Sequence, residues 1–400
     1  MLDAYIYDGL RTPFGRHAGS LAAVRPDDLV ATVMRELVAR SPFRPEQIED
    51  VILGCTAQSG EDSRNVARNA LLVAGLPPSV PGQTVNRLCG SGLAAVLDTA
   101  RAISCGEGEL YIAGGVESMS RAPFVVAKAE SAYSRDFKVY DSTIGARFPN
   151  RKMTEQYGAH SMPETGDNVA AEFGISREQA DRFAAASQAK YAGAKAAGFY
   201  AAEILPISVP TGRKTPPLVV ADDEHPRAES TYESLAKLKP LFEGGVVTAG
   251  NASGINDGAA AVLVGNAAVG DRAGAKPIAR ILAGAAAGVE PRIMGVGPAY
   301  AIPKALERAG LTLADMDIIE INEAFATQML GCLKLLNVAF DDPRVNPNGG
   351  AIAIGHPLGA SGARLALSVA RELQRRQGRY AVVSLCIGVG QGIALVLERT

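Results

Sequence analysis

Two cysteines, a histidine and an asparagine stand where this chain could use their chemistry. Cys89 lies in Asn86-Arg87-Leu88-Cys89-Gly90-Ser91-Gly92, between a short extended run and an apolar-periodic stretch over residues 93–103. At the mouth of a helix, unpaired backbone N–H groups and the positive end of the helix dipole favour a thiolate over a thiol. Gly90 and Gly92 allow a sharp strand-to-helix corner and leave room for a ligand. Taken alone, Cys89 reads equally well as an inert thiol buried under a glycine-rich turn. Far downstream, His356 stands in a second glycine-rich corner, Gly355-His356-Pro357-Leu358-Gly359-Ala360-Ser361-Gly362, ahead of an amphipathic helix. Cys386 lies in Ser384-Leu385-Cys386-Ile387-Gly388-Val389-Gly390-Gln391-Gly392. Asn322-Glu323-Ala324-Phe325 follows the strand-like run 317–321. A nucleophile, a base, a second acid/base and a polar amide are the parts needed for acyl transfer through a thioester. Plainer readings stay open: Cys386 as a core cysteine at a strand end, Asn322 as the N-cap of a helix over 323–336, Glu323 as a first-turn helix charge.

The elements that would position these residues alternate between strand and helix. Strands are expected at 4–7, 50–53, 83–85 and 109–113, with helices at 27–39, 63–74 and 90–104, the rhythm of a layered α/β fold. The same rhythm returns after residue 277, with helices at 299–309, 323–336 and 362–376 and strands at 317–321, 380–384 and 392–397. The segments 46–53 and 313–320 resemble each other, as do 90–94 and 360–364, which indicates two copies of one unit. Duplicated halves packed face to face would bring Cys89 from one copy to His356 and Cys386 from the other. The boundaries expected are 1–120 with 248–271 for the first half, 121–247 for a looser insert, and 272–400 for the second half. Helical pieces at 166–173 and 177–197 are expected inside the insert, and 248–264 returns to the first half with a strand at 260–264.

Composition narrows the possibilities. With 400 residues, 47% hydrophobic and 20% charged, the chain can bury a large core, and two domains or a duplicated unit are expected. A net charge of −2 and a pI near 6.2 give no electrostatic case for nucleic acid or an anionic membrane. No apolar run approaches a bilayer span, and Met1-Leu2-Asp3-Ala4-Tyr5 lacks the features of a signal peptide. Five cysteines without a CxxC pair argue against a disulfide framework and a zinc site, so a reducing, cytoplasmic location is expected. No GxGxxG–acidic pairing or GxxxxGK[ST] supports a nicotinamide or triphosphate site. His17, His160 and His225 read as solvated surface residues, and Cys55, Cys105 and Cys332 as packing residues in apolar surroundings.

The four catalytic segments, in this order over this length, resemble the thiolase family, from Arg11-Thr12-Pro13-Phe14-Gly15 to Gly390-Gln391-Gly392. The resemblance implies duplicated βαβαβαββ halves in a five-layer α-β-α-β-α fold, with the insert covering a coenzyme A site. It implies thiolytic cleavage of a 3-oxoacyl-CoA, with coenzyme A as co-substrate and no permanently bound cofactor or metal. Cys89 would carry the acyl group, His356 would be its base, and Cys386 would protonate the acetyl-CoA enolate and deprotonate coenzyme A. Asn322, through a water, and His356 would hold the enolate oxygen, and the backbone N–H groups of Cys89 and Gly388 the tetrahedral oxyanion. Arg227, Ser234, Leu238 and Phe242 match coenzyme A contacts. Ala249, Gly250, Ala252 and Ser253 match the lining of the pantetheine tunnel, Met162 borders the acyl pocket, and Ala324 and Phe325 complete the substrate side. Residues 60–68, 141–148 and 162–165 resemble the 3-oxoadipyl-CoA thiolases, which finish the breakdown of aromatic compounds. Arg147 in the second of these is the candidate for the acyl carboxylate, against a plain loop arginine. An acetoacetyl-CoA or short-chain thiolase, a decarboxylating condensing enzyme of the same fold and a non-catalytic acyl-CoA-binding protein are the alternatives. Members of the family are dimers or tetramers, so a homo-oligomer is expected.

Overall fold

The computed structural model describes residues 2–212 and 214–400. The chain first lays down β1 (Ala4–Arg11), α1 (Pro26–Ala39), β2 (Asp50–Gly54), α2 (Val66–Val73), β3 (Gly82–Val85), α3 (Ser91–Ser104) and β4 (Leu110–Ser118). An inserted segment follows, carrying α4 (Met162–Phe173) and α5 (Arg177–Ala196), before β5 (Asn256–Gly265) rejoins the sheet beside β4. The series then recurs as β6 (Ala279–Gly288), α6 (Gly297–Ala309), β7 (Ile318–Ile321), α7 (Ala326–Leu335), α8 (Leu358–Arg376), β8 (Tyr380–Ile387) and β9 (Gln391–Arg399).

Strand order is β7-β8-β9-β6-β1-β5-β4-β2-β3, with Gly15–Arg16 paired to β5. The recurrence is visible in the ladders. β2 lies parallel between β3 and β4, and β7 lies parallel to β8, with a single parallel bridge from Ile319 to Val345 on its other side. β1 and β6, the first strand of each series, pair antiparallel, Ala4 opposite Ile281, and join the two halves into one ladder. β4, β5 and most of β8 are buried on both faces, as their apolar and small residues require.

Three cores explain the layering. Leu93, Val96, Leu97 and Ile103 of α3 share one core with Leu365, Leu367, Val369 and Leu373 of α8 and with strand residues of both halves. α1 and α2 cover the first half from outside, and α6 and α7 the second. The order α-β-α-β-α follows, with α3 and α8 as the central layer. Where these helices cross there is no space for a side chain. A Cβ on Gly92 would lie 2.5 Å from the Gly359 carbonyl oxygen, and one on Gly362 would run into the Leu93 backbone.

Several expected bounds move. The helix expected over 323–336 begins at Ala326 with Phe325 as its N-cap residue. The Asn322 backbone N–H donates to Ser384 O across 2.9 Å, so the chain is still strand-like there and Asn322 is no helix cap. The returning strand begins at Asn256 rather than 260, and α4 begins at Met162, in a capping box formed by Ser161 and Glu164.

The insert is pinned to the layers by a buried cation. Arg11, fully buried on β1, donates to Glu203 Oε1 at 2.6 Å and to both Asp223 oxygens at 2.6 and 2.9 Å. Tyr191 of α5 donates to Asp223, and Ser368 of α8 to Glu203.

The crossing yields a test. Overpacking a filled core costs about 1–3 kcal/mol, so Gly362→Ala should lower the urea midpoint of unfolding by a corresponding amount. An unchanged midpoint would mean that α3 and α8 part at this point without cost.

Candidate active site

Each helix of the central pair delivers one reactive side chain from the residue two places before its first turn. Cys89 precedes Ser91 of α3, and His356 precedes Leu358 of α8. The Cys89 corner is held by local polar groups. Arg87 N–H donates to Ser91 Oγ at 2.8 Å, Ser91 Oγ–H donates to Leu88 O at 2.6 Å, and Leu88 N–H donates to Asn86 Oδ1 at 2.9 Å. Leu88 adopts a left-handed φ of 46°, a conformation uncommon for a branched side chain.

The half-buried Cys89 thiol lies within hydrogen-bonding reach of the Gly388 N–H and its own N–H. Gly388 belongs to the turn between β8 and β9, just past the buried Cys386. Burial pushes the Cys89 thiol up to about 11; the two N–H groups oppose that rise, and Glu117 adds to it. The expectation was that the helix mouth would favour a thiolate; burial is the larger influence on this thiol and acts the other way, toward the neutral form. Burial, then the neighbouring Cys89, holds Cys386 well above the usual thiol range. Around Cys386 pack Val247, Ala252, Met294, Ala324, Phe325 and Met162.

His356 is buried, and burial with the nearby Arg364 cation brings its pKa down to about 3. Its tautomer follows from the network. Ser361 Oγ–H donates to Pro357 O at 2.9 Å, so Ser361 Oγ accepts from His356 Nδ1–H at 2.6 Å. Nε2 is left with its lone pair, 3.4 Å from Asn322 Nδ2. Asn322 Oδ1 is buried without a protein partner among the described residues. The His356 N–H donates to Asn256 Oδ1, and Asn256 Nδ2–H in turn to Gly15 O, both at 2.9 Å.

Toward the surface the other expected residues form a continuous run. Ser253 N–H donates to Ala324 O and Ala326 N–H to Asn251 O, laying 251–253 along 324–326. Gly250 lies under Leu235 and Leu238, and His225 packs over Gly254. Ala249, Ser234, Leu238 and Phe242 are exposed along this run. So is Arg227, whose backbone N–H donates to Gln188 Oε1 at 2.8 Å. Arg147 stands apart from the Cys386 cluster. It is half-buried, and its Nη2 donates to Ala57 O at 3.1 Å.

Other expectations are revised. His225 is half-buried, and burial with Arg227 brings its pKa down to about 4. Cys105 is exposed, while Cys55 packs in the apolar core of the first half, as expected, and also lies 3.8 and 4.0 Å from the carboxylates of Asp62 and Glu117. Those three residues bring ligand-type atoms within 4.8 Å of one another. Glu117, however, already accepts from Thr56, Ala57 and Gly359, so N–H and O–H donors surround it where a metal would need lone pairs. Glu323 is buried, not a helix-turn charge. It accepts from Ser187 Oγ–H, Asn346 Nδ2–H and Ile352 N–H, and so holds the loop leading to His356. Sequence reasoning passed over Ser361, Asn256 and Glu117. For Glu117 a signal was there: a lone acid in the apolar run of β4.

Residues 4–268 match the family description "Thiolase, N-terminal domain" and residues 275–399 match "Thiolase, C-terminal domain". The chain is 57% identical to the 3-oxoadipyl-CoA/3-oxo-5,6-dehydrosuberyl-CoA thiolase of Escherichia coli K12, over 100% of both chains. It is 56% identical to a beta-ketoadipyl-CoA thiolase of Acinetobacter baylyi and 46% identical to an acetyl-CoA acetyltransferase of Escherichia coli K12, each over 100% of both. The Bacillus anthracis acetyl-CoA acetyltransferase structure superposes with a TM-score of 0.93 at 38% identity, covering 100% of this chain and 99% of that one. Human mitochondrial 3-ketoacyl-CoA thiolase in complex with CoA gives 0.91 at 39% identity, covering 100% and 98%.

The raised Cys89 thiol makes a direct prediction. In the free protein, iodoacetamide alkylation of Cys89 should keep rising past pH 9 as the thiolate becomes accessible. A rate that has already reached its maximum by pH 9 would mean that the thiolate is formed below that pH.

Proposed function

The chain belongs to the thiolase family, and we propose that it cleaves 3-oxoadipyl-CoA with coenzyme A to succinyl-CoA and acetyl-CoA through an acyl group on Cys89. The observations that support the mechanism are two neighbouring thiols with the Gly388 N–H at Cys89, and a neutral imidazole whose free nitrogen faces Asn322, on the helix whose start packs against that of α3 at Gly92 and Gly359. His356 Nε2 takes the Cys89 proton. Each charge alone is costly in this pocket, but the thiolate and imidazolium form together and stabilise one another at low dielectric. The thiolate attacks C3, and the C2–C3 bond breaks to leave the succinyl thioester on Cys89 and the enolate of acetyl-CoA. His356 and Asn322, through a water, hold the enolate oxygen; the buried Asn322 Oδ1 without a protein partner supports this role. Cys386 gives its proton to the enolate carbon, then takes one from incoming coenzyme A. The high thiol pKa suits both steps, because the proton is kept until a carbanion arrives and is regained readily. The coenzyme A thiolate attacks the acyl group, whose oxyanion is held by the Cys89 and Gly388 N–H groups. Cys89 leaves and recovers its proton from His356.

Substrate choice is supported by the relatives, since those named for 3-oxoadipyl-CoA are 56–57% identical and the acetyl-CoA acetyltransferase 46%. Coenzyme A would run along Ala249–Ser253 under Leu238 and Phe242, with Met162 beside the acyl chain and Arg227 and Ser234 at the exposed end. The substrate carboxylate needs a cation or several N–H donors. Arg147 is our candidate: Ala57, which accepts from it, adjoins Thr56, whose carbonyl accepts from Asn86 in the Cys89 corner. No helix among the described residues is long and apolar enough to cross a membrane, and we place the protein in the cytoplasm. The exposed Phe124, Tyr133, Phe137 and Phe148 support assembly as a homodimer or homotetramer.

Incubation with an acyl-CoA donor should add the acyl mass to the Cys89 peptide, and Cys89→Ser should abolish it. Cys386→Ala should spare that transfer while stopping C–C cleavage; an adduct on Cys386 alone would reverse the two roles. Measured on one preparation, kcat/KM should favour 3-oxoadipyl-CoA over acetoacetyl-CoA, and Arg147→Ala should erode that preference only. A preference for acetoacetyl-CoA would overturn the substrate and leave the chemistry standing.

A further inference from the structure

Glu117 is buried at the end of β4, and its carboxylate bridges the two halves. Oε2 accepts from Thr56 N–H at 3.1 Å, Thr56 Oγ–H at 2.9 Å and Gly359 N–H at 2.9 Å, and Oε1 accepts from Ala57 N–H at 2.9 Å. Gly359 is in the first turn of α8, three residues past His356, so this bond fixes the His356 corner against the first half. Ala57, held through its N–H, carries Arg147 on its carbonyl.

The duplicated topology adds an independent argument. In the parallel ladders Gly54 pairs with Gly115, and Ile321 with Ser384, each the last pair of its ladder. Glu117 lies two residues past Gly115, and Cys386 two past Ser384. Glu117 therefore occupies in the first half the position of Cys386 in the second. Each faces the start of the opposite half's central helix, Cys386 at Cys89 and Glu117 at Gly359.

We propose that Glu117 is a positioning residue for the reaction, a carboxylate clamp between halves that sets the His356 corner against the Cys89 corner. The proposal rests on the acyl-transfer reading of that pair. Facing the carboxylate are Cys55 and Asp62 from the segment after β2 and Cys89 from the corner before α3, while α8 presents the Gly359 N–H. Burial, with Asp62 adding to it, raises the Glu117 carboxyl to about 7, against the pull of its donors. Above that pH the clamp is a full carboxylate. Its charge then opposes a second negative charge on Cys89, so the thiolate fraction climbs less steeply with pH through this range.

The test uses the full-length protein with acetoacetyl-CoA and coenzyme A, and iodoacetamide as the probe of Cys89. A misplacement near 1 Å costs about 100-fold in rate, so Glu117→Gln should lower kcat by that order with KM for coenzyme A changed less than about twofold. The wild-type alkylation profile should flatten near pH 7 before rising again. Glu117→Gln should remove the flattening and speed alkylation at pH 8, and Glu117→Asp should keep the flattening without restoring kcat. Wild-type kcat in Glu117→Gln overturns the proposal. So does a wild-type profile with no change of slope near pH 7, which needs no variant to fold. The acyl-transfer reading fails separately, through the absence of an acyl adduct on Cys89.

Discussion

α3 and α8 pass each other backbone to backbone, and the reactive corners meet because nothing larger than a hydrogen stands between them. Gly92 and Gly362 face the opposite helix, and a Cβ on Gly359 would lie 2.5 Å from Val116 O and 2.6 Å from Gly54 O. Such packing draws the beginnings of both helices into one region. Each helix is entered through a sharp corner, and each corner holds its reactive side chain two residues before the first turn. A larger residue at the crossing would separate the corners as well as strain the core. The stability of the central layer and the geometry of the site therefore depend on the same few atoms.

The second constraint is electrostatic. Cys89, Cys386, His356 and Glu117 all lie where a lone charge is poorly solvated, and all four are driven toward their neutral forms. The two thiols and the imidazole rest uncharged and become charged in pairs when a proton moves between neighbours, while Glu117 is a carboxylate above about pH 7. Polar contacts fix orientation. Ser361 sets the His356 tautomer, Asn256 its backbone, and Glu323 the loop ahead of it. The proposed chemistry thus relies on proton transfers between oriented neighbours rather than on standing ions.

The insert depends on a different device. Arg11 is buried with its donors on Glu203 and Asp223, so its charge is matched inside the protein. Breaking a buried pair by removing one partner is costly, about 3–5 kcal/mol. Asp223 is followed by Glu224, which accepts from Arg16 and Ser20 N–H, and then by His225 over Gly254. A contact anchored at β1 therefore reaches the segment proposed to hold coenzyme A.

The candidate site was legible in the sequence because its residues sit in local patterns. Glycine-rich corners mark Cys89 and His356, the turn after β8 marks Cys386 and Gly388, and a strand end marks Asn322. The strand–helix alternation and the similarity of 46–53 to 313–320 carried the duplicated layers, since apolar periodicity reflects burial. The ionisation of those groups was not legible. Helix-mouth reasoning favours a Cys89 thiolate, whereas burial, a property of the packed halves, acts the other way. Nor could spacing reveal Glu117, Asn256 or Ser361 as supports, or the two carboxylates beside Cys55 in its apolar core. By itself the sequence determined which residues are candidates for the reaction and which units present them, because those follow from short-range pattern. Only the tertiary structure decided their proton states and partners, because desolvation and hydrogen bonding depend on atoms that folding brings from opposite halves of the chain.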